Sequence, residues 1–331
     1  MKRELYIKLF RCISIVLITA FVFYIYLPKR NWPISDMNET VGRDKLDVIC
    51  FGSSHMYDGL NPVQLYKEHG IASYIVAVGG QAPWQTYYYI KQACKYQKPK
   101  VVICDMYIFG TYQGHNAFDD SQTVRNLLNC PFSLDKLLAV TASEADSKLS
   151  IILNFPYSHD DEFKGFSLNK IYGKENALMG YEFKKDIEPA TVGDDVENVN
   201  TVRPIDVKNE KYLGKIINYC KNNQIELVLT NTPWAGITEN VEEYFNYIAA
   251  FAAESDVTFI DGCKLYKEMG IDYNRDCSEA GGHLNYYGVS KYTSWFGKNV
   301  LANYGLPDRR ACAGYEMYKE GDKEIRELLV Q

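Results

Sequence analysis

Short apolar runs alternate with amphipathic stretches between residues 46 and 304. Runs 46–51, 72–78, 100–106, 226–230 and 257–260 read as strands, the first of them apolar at nearly every position, as a strand covered on both faces is. Stretches 62–69, 84–96, 210–223, 241–255 and 287–304 read as helices. Asn61 and Pro62 suit the N-cap and first position of the first of these, and Gly70 suits its C-cap. Strands that alternate with helices predict a parallel α/β sheet with right-handed crossovers. From 108 to 203 the periodicity weakens and Asn, Asp and Lys accumulate, which predicts a long, partly helical insertion over the edge that carries the site. No internal repeat is present.

The N-terminus carries a different pattern. Residues 12–27 (CISIVLITAFVFYIYL) hold no charge, with Lys2, Arg3, Lys8 and Arg11 before them and Lys29 and Arg30 after. Leu9 and Phe10 lengthen the run toward the roughly 17–25 residues of a spanning helix, and Arg11 can snorkel. No small-x-small cleavage site follows. The expectation is an uncleaved membrane anchor over 1–30 and a polar linker over 31–44. The denser upstream basic cluster keeps the N-terminus in the cytoplasm and the rest outside the cell membrane. The main domain is expected over 45–306, with a charged, peripheral tail at 307–331.

Composition narrows this only slightly. The chain has 331 residues, 47% hydrophobic and 24% charged, which suits one large core with insertions. The net charge of −6 without a basic stripe argues against nucleic acid as a partner. Cys50 and Cys104, two of the nine cysteines, fall in apolar strands and read as small buried hydrophobes. No Cys or His spacing suggests a metal, and no organic cofactor is implied.

Two stretches carry candidate chemistry. Val48-Ile-Cys-Phe-Gly-Ser-Ser-His55 is a buried strand that stops at a glycine and delivers two serines and a histidine into a loop. Such a junction lies at the carboxyl edge of an open α/β sheet, where ligands bind. Gly281-Gly-His-Leu-Asn-Tyr-Tyr-Gly288 places His283 just before the last helix. A serine hydroxyl needs a base to take its proton as it attacks an acyl carbon, and imidazole titrates near the working pH. The two stretches meet only if the intervening chain forms one sheet.

Phe51-Gly-Ser-Ser-His55 resembles the first block of the SGNH/GDSL hydrolase superfamily, in a Gly-Ser-Ser variant, and Gly-Gly-His283-Leu-Asn-Tyr-Tyr-Gly resembles its last block. With the anchor, the chain is similar to cell-surface members that serve teichoic acid D-alanyl transfer or partner membrane-bound O-acyltransferases. The resemblance covers about 44–304, with the insertion unmatched. It implies a flavodoxin-like three-layer fold in which Ser54 is the nucleophile and His283 the base. The backbone N–H groups of Ser54 and Gly80 would form the oxyanion hole.

The chain also departs from the family pattern. The usual Asp three residues before the histidine is Ala280 here, leaving Glu279, Asp276 or a backbone carbonyl to orient the ring. The usual third-block Asn is absent, and strand three runs into Asp105. Gln81, Tyr107 or Asn231 could supply the missing donor, and His55 could contact substrate. Trp84 and Trp234 could platform a sugar, though packing is the commoner use of such residues. His115 and His159 fall in the insertion.

The family implies a serine esterase or O-acyltransferase. Its expected substrate is acyl groups, O-acetyl above all, on envelope or exported polysaccharide, with a membrane-bound O-acyltransferase as partner. The rival expectation is a non-catalytic glycan-binding or assembly factor that keeps the fold.

Overall fold

The computed structural model describes residues 2–26, 33–113, 120–128, 133–143, 145, 148–152 and 176–331. His115, His159 and Cys130 lie outside them. The elements run α1 (Lys2–Tyr26), α2 (Pro33–Val41), β1 (Val48–Gly52), α3 (Ser54–Tyr57), α4 (Pro62–His69), β2 (Ser73–Ala77), α5 (Pro83–Ala93), β3 (Val101–Asp105) and α6 (Tyr107–Thr111). Then come α7 (Asp120–Leu128), α8 (Leu134–Ala142), α9 (Lys148–Ile152), α10 (Val207–Asn222), β4 (Glu226–Asn231), α11 (Glu239–Glu254), β5 (Thr258–Asp261) and α12 (Gly262–Leu265). The chain ends with the hairpin β6 (Cys277–Ser278) and β7 (His283–Leu284), α13 (Tyr286–Asn299) and α14 (Met317–Val330).

β1 to β5 form one parallel sheet in the order β2-β1-β3-β4-β5. This is the doubly wound order whose switch point lies beside β1. Alternate residues of the central strands feed two cores. Phe51, Val102 and Leu229 pack with α5, α10 and α11, while Cys50, Ile103 and Val228 pack with α13. Covered on both faces, these strands have no polar side, which is why their sequence does not alternate. α4 starts and stops as its ends require. The Asn61 side chain accepts from the Gln64 N–H at 3.1 Å, and Gly70 takes φ 72° beyond the last turn.

Three segments depart from expectation. The linker contains α2, whose Ile34, Met37 and Val41 are buried against the sheet's core. The segment from 307 is not peripheral. α14 packs on α4, Tyr318 stacks on Tyr66 at 4.4 Å, and the Tyr318 hydroxyl donates to the Ser73 carbonyl at 2.7 Å. Residues 176–203, the end of the insertion, form a strap across the carboxyl side of the sheet. Its backbone hydrogen bonds run in turn to Ile75, Tyr57, Tyr286, Cys277, Tyr273, Ala235 and Ile237.

Among the described residues no helix is long and apolar enough to cross a membrane. The apolar run of α1 leaves Phe10, Ile15, Val16, Leu17 and Ile18 exposed, and side chains past Ala20 lie outside the described residues. The eight described cysteines are unpaired, with Cys50 and Cys104 fully buried.

Candidate active site

The site forms where β1 ends. A Cβ at Gly52 would stand 2.7 Å from the Asp105 Cβ and 3.0 Å from that of Met56, so only glycine lets the strand turn this tightly over β3. Ser53 then sits at the N-cap of α3, and Ser54 takes its first position. An amide at that position has no acceptor within its own helix and faces outward with the positive end of the turn.

His283 arrives from the far end of the sequence on the β6–β7 hairpin. Three of the four residues at its tip are left-handed: Glu279 (φ 50°), Ala280 (φ 51°) and Gly281 (φ 89°). A Cβ at Gly281 would come within 2.4 Å of Ala190 on the strap, which explains the glycine there. This curl folds Glu279 back under the imidazole. His283 Nδ1 lies 2.6 Å from Glu279 Oε2, and its Nε2 lies 2.8 Å from Ser54 Oγ. A carboxylate only accepts, so Nδ1 carries the proton and the Nε2 lone pair faces the serine hydroxyl. The Lys184 hydrogen bond, with smaller help from His283, holds Glu279 below the usual carboxylate range, so it is ionised. Burial lowers the affinity of His283 for a proton, and Glu279 only partly offsets this.

Asp276, the other acid considered, lies elsewhere. It takes the Lys291 ammonium at 2.5 Å and the Asp272 N–H at 2.7 Å. Among the described residues the carboxylates within ion-pair reach of His283 are Glu279 and Asp58, the latter 3.7 Å from Nε2. The reason is local. Asp276 precedes β6, whereas the left-handed tip swings Glu279 to the ring side of the hairpin.

The remaining candidates separate into two groups. His55 is buried beside Ser54, stacked on Tyr107 at 3.4 Å, edge-on to Trp234 at 5.8 Å and 4.7 Å from the His283 ring. Burial first, then His283 and Lys184, hold its imidazole well below the usual range, so it is a neutral aromatic wall. Tyr107 and Trp234 meet edge to face at 5.2 Å and complete that wall.

Gln81 instead donates to Thr86 at 2.9 Å within the start of α5, and Trp84 is core. Asn231 is fully buried at the end of β4, beside the Cys263 thiol. None of these three is among the contacts of Ser54 or His283. Asp105 is buried under the turn, accepting from the Tyr107 N–H at 3.2 Å and the Thr232 N–H at 3.4 Å. Burial pushes its carboxyl up to about 7.

Gly80 follows β2 at φ 59°. The preceding carbonyl, of Gly79, accepts from the side-chain amides of Gln122 at 2.7 Å and Asn126 at 3.0 Å, both on α7. In a trans peptide the Gly80 N–H therefore points away from α7. The Tyr57 hydroxyl lies 3.5 Å from where a Gly79 Cβ would be, so this loop adjoins α3.

Asp58 and Lys184 adjoin the His283–Glu279 pair without any signal for this in the sequence. Lys184 bridges Asp58 at 2.9 Å and Glu279 at 2.6 Å. Asp58 at least ends the helix that Ser54 begins; Lys184 lies in the unpatterned insertion and carries no local signal.

No family model matches the chain, and no curated protein matches it. Among solved structures it is similar to an acylhydrolase candidate from Bacteroides fragilis NCTC 9343, at 11% identity over 83% of this chain and 99% of that one, with a TM-score of 0.41. It is also similar to a GDSL-like lipase from Bacteroides thetaiotaomicron VPI-5482, at 12% identity over 77% and 88%, with a TM-score of 0.35. The lipase/acylhydrolase from Enterococcus faecalis matches at 11% identity over 80% and 100%, with a TM-score of 0.38. At these TM-scores the likeness carries no weight for activity.

Proposed function

We propose that this protein is a serine esterase or acyltransferase that works through an acyl-enzyme on Ser54. The observation that carries the reading is the unbroken chain of short hydrogen bonds from Ser54 through His283 to Glu279. Ser54 Oγ attacks the acyl carbon while His283 Nε2 takes its proton. The N–H groups of Ser54 and Gly80 stabilise the oxyanion. Collapse expels the alcohol, which leaves with the proton from His283. Water, or a second hydroxyl, then attacks the acyl-enzyme by the same steps in reverse. Glu279 keeps the ring in the Nδ1–H tautomer and stabilises the imidazolium.

A fluorophosphonate probe tests this without knowledge of the substrate. Wild type should label at Ser54, and both Ser54→Ala and His283→Ala should stay folded and unlabelled. A wild type that never labels, or a Ser54→Ala variant that still does, would defeat the assignment.

We further propose that the acyl groups are O-acyl, above all O-acetyl, on envelope or exported glycan, with the protein held at the membrane by its N-terminus and facing outward. The uncharged run at 12–27 with its flanking bases, and the exposed aliphatic face of α1, support the anchoring. A membrane-bound O-acyltransferase is the partner this arrangement would serve. Membrane fractionation of the full chain and of a chain lacking 1–30 checks the anchor. Acetate released from, or moved between, O-acetylated glycans distinguishes hydrolysis from transfer.

A further inference from the structure

Glu279 has an unusual position for an orienting acid. Its side chain is 50% exposed, although the left-handed tip that carries it is tied down, the Ala280 N–H donating to Glu188 Oε2 at 2.8 Å and the Gly281 carbonyl accepting from the Ala235 N–H at 3.0 Å. Burial therefore does not hold its carboxylate against the imidazole, and a freely rotating glutamate would leave the ring's orientation undetermined. Both of its oxygens are nevertheless engaged. Oε2 receives His283 Nδ1 at 2.6 Å and Oε1 receives Lys184 Nζ at 2.6 Å.

Lys184 is itself held from the opposite side. Its ammonium donates to Asp58 Oδ2 at 2.9 Å, and the Asp58 side chain is 1% exposed at the end of α3. The backbone around Lys184 is tied at both ends. The Glu182 N–H donates to the Tyr57 carbonyl at 2.9 Å on the serine-bearing turn, and the Tyr286 N–H donates to the Lys184 carbonyl at 2.6 Å just past His283. The strap thus pins the serine loop to the histidine loop, and Lys184 is the side chain that spans them.

We propose that Lys184, anchored by Asp58, is a positioning residue that clamps Glu279 onto His283 and so fixes the imidazole for proton transfer. Its ammonium pairs with Asp58 and Glu279 and not with the serine hydroxyl, so it acts through Glu279. The inference deepens the Ser54–His283 reading and rests on it for its consequence in rate. The clamp itself is observable without reactivity.

The neutral tautomer of His283 reports the clamp. With Glu279 seated, the proton sits on Nδ1; with Glu279 released, the ring reverts toward the Nε2–H form that free imidazole side chains favour. Nitrogen shifts of 15N-histidine-labelled full-length protein at alkaline pH, with the signal assigned through His283→Gln, separate the two. Wild type and Lys184→Arg should show the Nδ1–H form, and Lys184→Met and Glu279→Gln should both lose it.

Lys184→Met strands Asp58 as a buried carboxylate without a partner and endangers folding. The Lys184→Met/Asp58→Asn pair removes that charge and should behave as Lys184→Met does. In fluorophosphonate labelling, Lys184→Met should slow the reaction at least tenfold, and Lys184→Arg should recover most of the rate. Lys184→Met/Glu279→Gln should be no slower than Glu279→Gln alone, because the lysine acts through the glutamate. An unchanged tautomer in Lys184→Met and in its Asp58→Asn pair overturns the proposal, as does a double variant that loses the product of both single effects. Absence of labelling in wild type would instead count against the nucleophile assignment and leave the tautomer result to decide the clamp.

Discussion

At the scale of the residue, the site is decided by which groups share the two nitrogens of one imidazole. Nδ1 faces an ionised glutamate and Nε2 faces a hydroxyl, so the nitrogen that is free to take up and return a proton is Nε2. Replacing Glu279 with Gln keeps the shape and removes the charge. Turnover or labelling is expected to fall by about 10²–10⁴, the range in which triads lose an orienting acid without losing the nucleophile; comparing second-order labelling rates checks it.

The sign of the pH dependence follows from His283. A protonated ring cannot accept the serine proton, so the rate falls on the acid side. Burial lowers the affinity of this ring for a proton, so the acid midpoint should lie below the ordinary histidine value of about 6.5. A labelling rate profile from pH 4.5 to 9 reads that midpoint directly. A midpoint above 7 would mean that another group controls the step.

At the scale of the element, short irregular pieces do more than the long helices. The four-residue α3 and the left-handed tip of the β6–β7 hairpin place the reacting groups, and the strap holds the two together. Gly281→Ala is therefore expected to lower stability by more than 1 kcal/mol and to slow labelling, since the added methyl meets Ala190 on the strap in a conformation unfavourable to L residues. Thermal melts and labelling on the same preparation measure both.

The C-terminal helix makes a different contribution. Tyr318 fills the space under α4 and satisfies the Ser73 carbonyl at the edge strand. Tyr318→Ala should cost about 3–5 kcal/mol, as other large-to-small core changes do, whereas Tyr318→Phe should cost about 1 kcal/mol for the lost hydrogen bond. Urea unfolding of the two variants distinguishes space filling from hydrogen bonding.

At the scale of the whole molecule, the fold carries buried acids under the carboxyl edge of the sheet. Burial raises Asp105 and Asp58 to about 7, Asp58 despite its lysine. An acid whose folded affinity for protons exceeds its unfolded affinity binds more protons in the native state. The contribution of these two acids to stability therefore declines as pH rises from about 4, the unfolded value, to about 7 and is level above that. Asp105→Asn should flatten this decline, and the variant should gain on wild type between pH 5 and pH 8. Urea midpoints at the two pH values check the sign. A variant that loses ground at pH 8 relative to pH 5 would show that Asp105 is needed as an anion.

The sheet, most of its helices and the two loops that meet at the site were legible in the sequence. Apolar runs, caps at Asn61 and Gly70, and a glycine at the end of β1 are signals written within a few residues of the structure they specify. α2, α14 and the strap were not. Their apolar positions are few, and they become helical or ordered by packing on surfaces that distant strands create. The choice of Glu279 over Asp276 was only half legible: the extra glycine in Glu-Ala-Gly-Gly favours Glu279, but spacing does not reveal the handedness of the tip.

The sequence alone thus determined a parallel α/β sheet and brought a serine and a histidine to its carboxyl side, since strand pattern and turn chemistry are local properties of the chain. Only the tertiary structure decided which acid stands behind the imidazole and which lysine holds that acid. Those partners come from positions 54, 58, 184, 279 and 283, and their meeting depends on distances that no neighbouring residues encode.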